Sequence, residues 1–244
     1  MISSPSQLIR FLLHLFFPRT CVCCGCDLSW TNENYLCASC AAGLAHPGPL
    51  FCQRCGVNLP SGGAHCRSCR GSKAKQYKCQ VIRSAWIFNT SSRALVHGLK
   101  YAYGDYLAKM MGWQMAKNFS RYPELACVEI IVPVPLFVKK ERQRGYNQSV
   151  LLARSFAQNT GIPLVEKALV RTRDTVSQTT LGRQARLANM ADAFSCVQPD
   201  VVKGKTILLI DDVATTGATL EGCAVALKTA GAKRVFAYTY AREN

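Results

Sequence analysis

Apolar and polar positions divide the chain into three stretches. The segment "LIRFLLHLFFP" is apolar for about 11 residues and stops at Pro18. From Cys21 to about residue 75 apolar runs disappear, and cysteine, glycine and polar turn residues replace them. From Lys78 onward apolar runs return in alternation. "CQVIRSAWIFN" reads as a strand, and "SSRALVHGLKYAYGDYLAKMMGWQMAKNF" as a helix in two pieces broken near Gly104. "VEIIVPVP" reads as a buried strand, "NQSVLLARSFAQNTG" as an amphipathic helix with a glycine stop, and "LVEKALVR" as a short strand. "TILLIDDV" is a continuous apolar run ending in two aspartates, as a central parallel strand should be. "TLEGCAVALKTAGA" is the helix after it, and "RVFAYTY" the last strand.

Strands alternating with crossover helices predict an α/β domain with a mostly parallel sheet and helices on both faces. Ligands of such sheets sit at the carboxyl ends of the strands. The expected layout is an apolar helix over residues 1–20, a cysteine-rich module over 21–75 and the α/β domain over 78–244. A membrane span needs roughly 20 apolar residues. The first segment is shorter and carries Arg10 and His14, so it is expected to be a short helix packed on the body of the protein, with no membrane span.

Composition sharpens this picture. Apolar residues make up 49% and charged residues 18%, which allows a sizeable core and excludes wholesale disorder. The formal charge of +16 points to an anionic partner: nucleic acid, a membrane surface or a phosphorylated small molecule. Zinc-bound thiolates would reduce that excess to roughly +12 without removing it.

Ten of the 14 cysteines lie between Cys21 and Cys69. Their C-x-x-C spacing suits metal ligation better than a disulfide scaffold, and four further cysteines are scattered through ordinary α/β sequence, which fits a reducing cytoplasm. Cys21, Cys24, Cys37 and Cys40 form one quartet; Cys52, Cys55, Cys66 and Cys69 form another. Two C-x-x-C knuckles complete a tetrahedral shell of four thiolates, so two structural Zn2+ ions are expected. Gly25 and Gly56 suit the tight turn after a knuckle. Sequential quartets are the simplest pairing; an interleaved one, or use of Cys23 and Cys26, stays open. A closed four-thiolate shell has no place for water, which argues against catalysis there. The module either folds a region too small for its own core or presents Arg54, Arg67, Arg70, Lys73 and Lys75 to nucleic acid.

The segment "TILLIDDVATTGATLEG" carries the candidate ligand chemistry. Asp211 and Asp212 can accept hydrogen bonds from vicinal ribose hydroxyls, directly or through Mg2+ and water. The small-residue loop of Ala214, Thr215, Thr216, Gly217, Ala218 and Thr219 opens a helix, and its backbone N–H groups make an anion pocket. The string resembles the type I phosphoribosyltransferase motif, which binds 5-phosphoribosyl-1-pyrophosphate. By that resemblance, Lys139, Arg142 and Arg144 lie in a basic loop that meets pyrophosphate, and Gln178, Arg183 and Arg186 in a flap over the site. Lys100 is a further pyrophosphate or nucleic-acid contact. His97 is a candidate acid–base group more simply read as structural. Tyr101, Tyr103 and Tyr106 can stack bases but are more simply read as packing.

Taken together, "LFFP", the cysteine pairs, "GLKYAYGD", "VPVPL…R…RGYNQ…LLA", "R…T…Q…L…R…N…AF" and "LLIDDVATTGATL" resemble the ComF (competence protein F) family over nearly the whole chain. The resemblance implies a zinc-ribbon module joined to a phosphoribosyltransferase domain. It also implies a cytoplasmic role in natural transformation and DNA uptake, acting on single-stranded DNA with other competence proteins. Phe137 stands where a histidine is common in that family, which argues against a catalytic step that needs it. Three functions follow: a DNA-handling protein with a phosphoribosyl pyrophosphate site, an active Mg2+-dependent phosphoribosyltransferase on a base or amine, or a non-catalytic sensor of the donor. The fold alone does not establish transfer.

Overall fold

The computed structural model describes residues 5–32, 34–70, 77–101, 104–173 and 193–244. Four parallel strands form the central sheet in the order β1-β6-β5-β2: β1 Cys79–Ile87, β2 Ile130–Pro133, β5 Thr206–Ala214 and β6 Arg234–Arg242. β5 is buried along nearly its whole length, as its unbroken apolar run requires. β3 (Leu169–Arg171) and β4 (Phe194–Cys196) form a separate antiparallel pair. Arg171 and Phe194, at the two ends of the expected flap, pair with each other, and residues 174–192 between them lie outside the described residues.

Alternation along the strands sends successive side chains to opposite faces. Ile207, Leu209, Val235 and Ala237 pack with Leu220, Cys223, Ala224 and Leu227 of α8 (Ala218–Thr229). On the other face, Leu208, Ile210, Phe236 and Tyr238 meet α3 (Thr90–Tyr101), α4 (Gly104–Phe119) and α6 (Gln148–Thr160) through Leu99, Met111 and Phe156. The break between α3 and α4 falls where the sequence places it. α6 starts at the cap Asn147, whose side chain accepts a hydrogen bond from Ser149 N–H.

Two expectations change. Residues 139–144 are not a loop: Val138–Arg144 form a helix, α5. The run is made of good helix formers with no glycine or proline before Gly145. The N-terminal helix α1 (Pro5–Phe16) forms, but it is not covered by the body of the protein. Its Leu8, Ile9, Leu12, Leu13, Leu15 and Phe16, and the following Phe17, are all exposed. Phe11 meets Trp30 edge-on at 6.0 Å, and His14 Nδ1 accepts Arg19 N–H at 3.2 Å. Among the described residues, no helix is long and apolar enough to cross a membrane.

The cysteine-rich stretch is anchored on both cores. Cys52, Cys55 and Cys69 belong to the α8 side, while Cys21, Leu28 and Leu36 belong to the opposite side. Its regular elements are short: α2 (Ala38–Ala42) and a 3-10 turn over Arg67–Cys69. A short helix, α7 (Pro199–Val202), precedes β5.

Candidate phosphate loop and metal centres

The two knuckles repeat one geometry. Cys21 N–H donates to Cys26 O and Gly25 N–H to Cys21 O, both at 2.8 Å. In the second, Cys52 N–H donates to Val57 O at 2.8 Å and Gly56 N–H to Cys52 O at 2.9 Å. Gly25 and Gly56 are left-handed, at φ 74° and 72°. The sulfurs of Cys21, Cys24, Cys37 and Cys40 lie within 4.8 Å of one another, and so do those of Cys52, Cys55, Cys66 and Cys69. The sequential pairing left open by spacing is therefore the one formed, with Cys23 and Cys26 outside the quartets. A tetrahedral zinc with Zn–S bonds of about 2.3 Å needs sulfurs about 3.8 Å apart. Cys24 and Cys37 Sγ are 3.8 Å apart, and Cys55 and Cys66 Sγ 3.7 Å, so both thiol sets fit the ion.

The surroundings of the two centres differ. Cys24 is exposed and Cys37 and Cys40 half-buried, whereas Cys52, Cys55 and Cys69 are buried. Arg54 corrects an expectation. It is not offered to nucleic acid but is buried, with Nη1 donating to Cys69 Sγ at 3.4 Å. Its Nη2 donates to Cys79 O at 3.2 Å and to Glu221 Oε2 at 3.3 Å. Arg67 and Arg70 are exposed; Lys73 and Lys75 lie outside the described residues.

At the carboxyl edge of the sheet, β5 delivers Asp211 and Asp212, both buried. Asp211 Oδ1 accepts Ser149 Oγ–H at 2.7 Å and Asp212 N–H at 2.9 Å. Asp212 Oδ1 accepts Val213 N–H at 2.9 Å, and its Oδ2 faces Lys100 Nζ at 2.5 Å. Burial, reinforced by the neighbouring Asp212 charge and opposed by the Ser149 hydroxyl, pushes the Asp211 carboxyl up to about 8. The chain then turns through Thr215 and Thr216 into Gly217, left-handed at φ 78°, which caps α8. Thr216 Oγ1 accepts Ala218 N–H at 3.3 Å, and Thr215 is exposed. The N-terminus of α8 opens at this edge, the arrangement that holds an anion.

The structure gathers some predicted site residues and separates others. Lys100, Tyr101 and Arg144 line one cavity of about 480 Å3, joined by Lys140, Gln143 and Tyr146. Lys139 and Arg142 open instead onto a second hollow on α5 beside Phe137. His97 is exposed, its ring 4.8 Å from that of Tyr101. Tyr106 is exposed on α4. Gln178, Arg183, Arg186 and Tyr103 lie outside the described residues. Sequence reasoning missed Ser149 and Glu221. The Asn-Gln-Ser helix start held a clue to Ser149, since a cap fixes which residues face the strand end. Glu221 carried no local clue, because its partners are about 140 residues away in sequence.

Comparison with known proteins agrees with this arrangement. The double zinc ribbon domain family matches residues 12–70, and the phosphoribosyl transferase domain family matches residues 146–244. The chain is thus a double zinc ribbon joined to a phosphoribosyltransferase-type α/β domain, and it holds two zinc-binding sites of four cysteines each. Competence protein F of Haemophilus influenzae is 28% identical over 232 residues, 93% of this chain and 98% of the relative. DNA utilization protein YhgH of Escherichia coli K12 is 27% identical, covering 91% and 96%. Competence protein ComFC of Bacillus subtilis is 27% identical, covering 88% and 90%. The chain is thus similar, nearly end to end, to proteins named competence protein F, ComFC and YhgH. Among solved structures, a glutamine phosphoribosylpyrophosphate amidotransferase from B. subtilis is 24% identical over 53% of this chain and 25% of that one, with a TM-score of 0.35.

Proposed function

We propose that the protein handles incoming single-stranded DNA during DNA uptake, with a phosphoribosyl pyrophosphate site at residues 211–219. The observation that carries the ligand site is the Asp211–Asp212 pair leading into the Gly217-capped helix at the carboxyl edge of a parallel sheet. In this reading Asp211 and Asp212 orient the ribose hydroxyls, with Mg2+ neutralising the pyrophosphate. The loop from Ala214 to Thr219 holds the 5-phosphate on its N–H and hydroxyl groups. Lys100 and Arg144 meet the pyrophosphate.

The DNA role is supported by relatives named competence and DNA utilization proteins that match nearly end to end, and by the +16 charge. The protein then works in the cytoplasm alongside other competence proteins. Its working units are the helix of residues 1–20, the zinc module of 21–75 and the ligand domain of 78–244. The test is binding of a labelled single-stranded oligonucleotide across a salt series. Affinity should fall steeply with salt, and charge reversal at Arg67 and Arg70, or at Lys139 and Arg142, should flatten the slope. Salt-independent binding, or none, overturns the DNA role.

A second reading, transfer of ribose 5-phosphate, is favoured by the basic cavity beside Asp212. An acceptor nitrogen would bond to ribose C1 and lose a proton as the C1–O bond to pyrophosphate breaks. Release of pyrophosphate that depends on an added base or amine tests it.

A further inference from the structure

The second zinc centre and the phosphate loop are far apart in sequence but share one buried polar junction. Arg54 sits in the knuckle between Cys52 and Cys55. It donates from one guanidinium nitrogen to the zinc-ligand sulfur of Cys69, and from another to Glu221 on the first turn of α8. Glu221 is also held by two backbone amides at the start of β1: Lys78 N–H at 2.5 Å and Cys79 N–H at 3.1 Å. Glu221 N–H in turn donates to Gly217 O at 2.9 Å, so the carboxylate that Arg54 grips belongs to the residue closing the phosphate-loop turn.

A second, apolar path runs parallel. Ile82 N–H donates to Arg54 O at 2.7 Å, which seats the knuckle on β1. A Cβ at Gly56 would lie 2.7 Å from Ile82 O, so knuckle and strand are in close backbone contact. The far end of the same isoleucine reaches the loop, since a Cβ at Gly217 would lie 3.1 Å from Ile82 Cδ1. Knuckle, strand and loop are therefore packed in series. A buried guanidinium with partners on all three has little freedom to shift alone.

We propose that Arg54 and Glu221 are positioning residues that couple the second zinc centre to the phosphate loop, so that the metal-bound knuckle holds the loop in its binding shape. This rests on the reading of residues 211–219 as a phosphoribosyl site. Arg54 acts toward the metal as an outer-shell donor to Cys69, a place where substitution commonly weakens metal retention. Glu221 reaches the metal centre by two routes, through the Arg54 guanidinium and through the start of β1, whose Lys78 and Cys79 amides it holds.

The test uses the full chain, zinc-loaded, as wild type, Arg54→Met, Arg54→Lys and Glu221→Gln. Zinc release to a chromophoric chelator should be about tenfold faster from the slower-releasing centre in both Arg54→Met and Glu221→Gln. Arg54→Lys, which keeps charge but not the forked reach, should fall between. Hydrogen exchange at amides 216–222 should rise about tenfold in zinc-replete Arg54→Met and Glu221→Gln, with β2 and α6 amides unchanged. Ribose 5-phosphate should bind about tenfold more weakly to both. Wild-type zinc release from Glu221→Gln, or unchanged exchange over 216–222, overturns the coupling. If wild type binds no ribose 5-phosphate, the site reading falls, and the zinc and exchange arms still decide the coupling. If Arg54→Met fails to fold, Glu221→Gln and Arg54→Lys carry the same comparison.

Discussion

Lys100 Nζ stands 2.5 Å from Asp212 Oδ2, joining the last turn of α3 to the carboxyl end of β5. Asp212 is buried and Lys100 only partly exposed, so the pair is shielded from most of the screening that weakens surface ion pairs. Lys100→Met should leave a buried carboxylate without its cation and destabilise the protein by about 1–3 kcal/mol. Urea unfolding measures this; a loss no larger than that of an exposed lysine such as Lys139→Met would contradict it.

Asp211 gives the site a pH dependence. Its carboxyl is raised from an ordinary 3.8 to about 8 by burial and by Asp212, so the folded protein keeps a proton there that the unfolded chain releases. Its contribution to stability is fully present below about pH 4 and is lost as pH rises toward 8. A ligand that needs the ionised carboxylate must expel that proton. Mg2+ and phosphoribosyl pyrophosphate should therefore bind more tightly as pH rises to about 8, releasing a proton on binding below it. Titration calorimetry in buffers of different ionisation enthalpy measures that proton. Ser149→Ala removes the hydroxyl that holds the carboxyl down, and should move the transition to higher pH.

The two knuckle glycines separate backbone conformation from crowding. Gly25 and Gly56 share nearly the same left-handed φ, so alanine should cost each about 1 kcal/mol on conformation alone. A Cβ at Gly25 meets nothing within 4 Å, whereas at Gly56 it would lie 2.7 Å from Ile82 O. Gly56→Ala should therefore be the more destabilising variant, by about 1–3 kcal/mol beyond Gly25→Ala. Thermal unfolding of the two variants makes the comparison; equal losses would contradict the close contact.

How much of this was legible in the sequence depended on range. The strands of the parallel sheet, the Asp-Asp-to-glycine loop and the thiol quartets are local patterns and stand where spacing placed them. The short β4 and α7 are missed, and the strand expected over 164–171 shrinks to Leu169–Arg171. The same periodicity could not assign the run from Val138 to Arg144, because charged helix formers serve a loop or a solvated helix equally well. Reading α1 as packed failed for a different reason. An apolar stripe states what a helix is able to bury, while its cover depends on neighbours that the segment does not encode. Arg54 looked like one more basic residue in a basic module; only the fold brings it to Cys69 and Glu221.

The two zinc centres should lose metal at different rates. Three ligands of the second are buried in the α8-side core, while the first has an exposed Cys24. Chelator challenge should give two phases, one equivalent each. Cys24→Ser should abolish the fast phase and leave the slow one intact. A single phase for both equivalents would contradict the difference in burial.

The proposed phosphoribosyl site at residues 211–219 is open to direct measurement. Calorimetric titration of the zinc-loaded protein with phosphoribosyl pyrophosphate and Mg2+, with and without single-stranded DNA, tests it most directly beside the Asp211→Ala/Asp212→Ala variant. Saturable binding to wild type is expected, lost in the double variant, with an affinity that shifts when DNA is present. Absence of binding to wild type, or equal binding to both proteins, would contradict it.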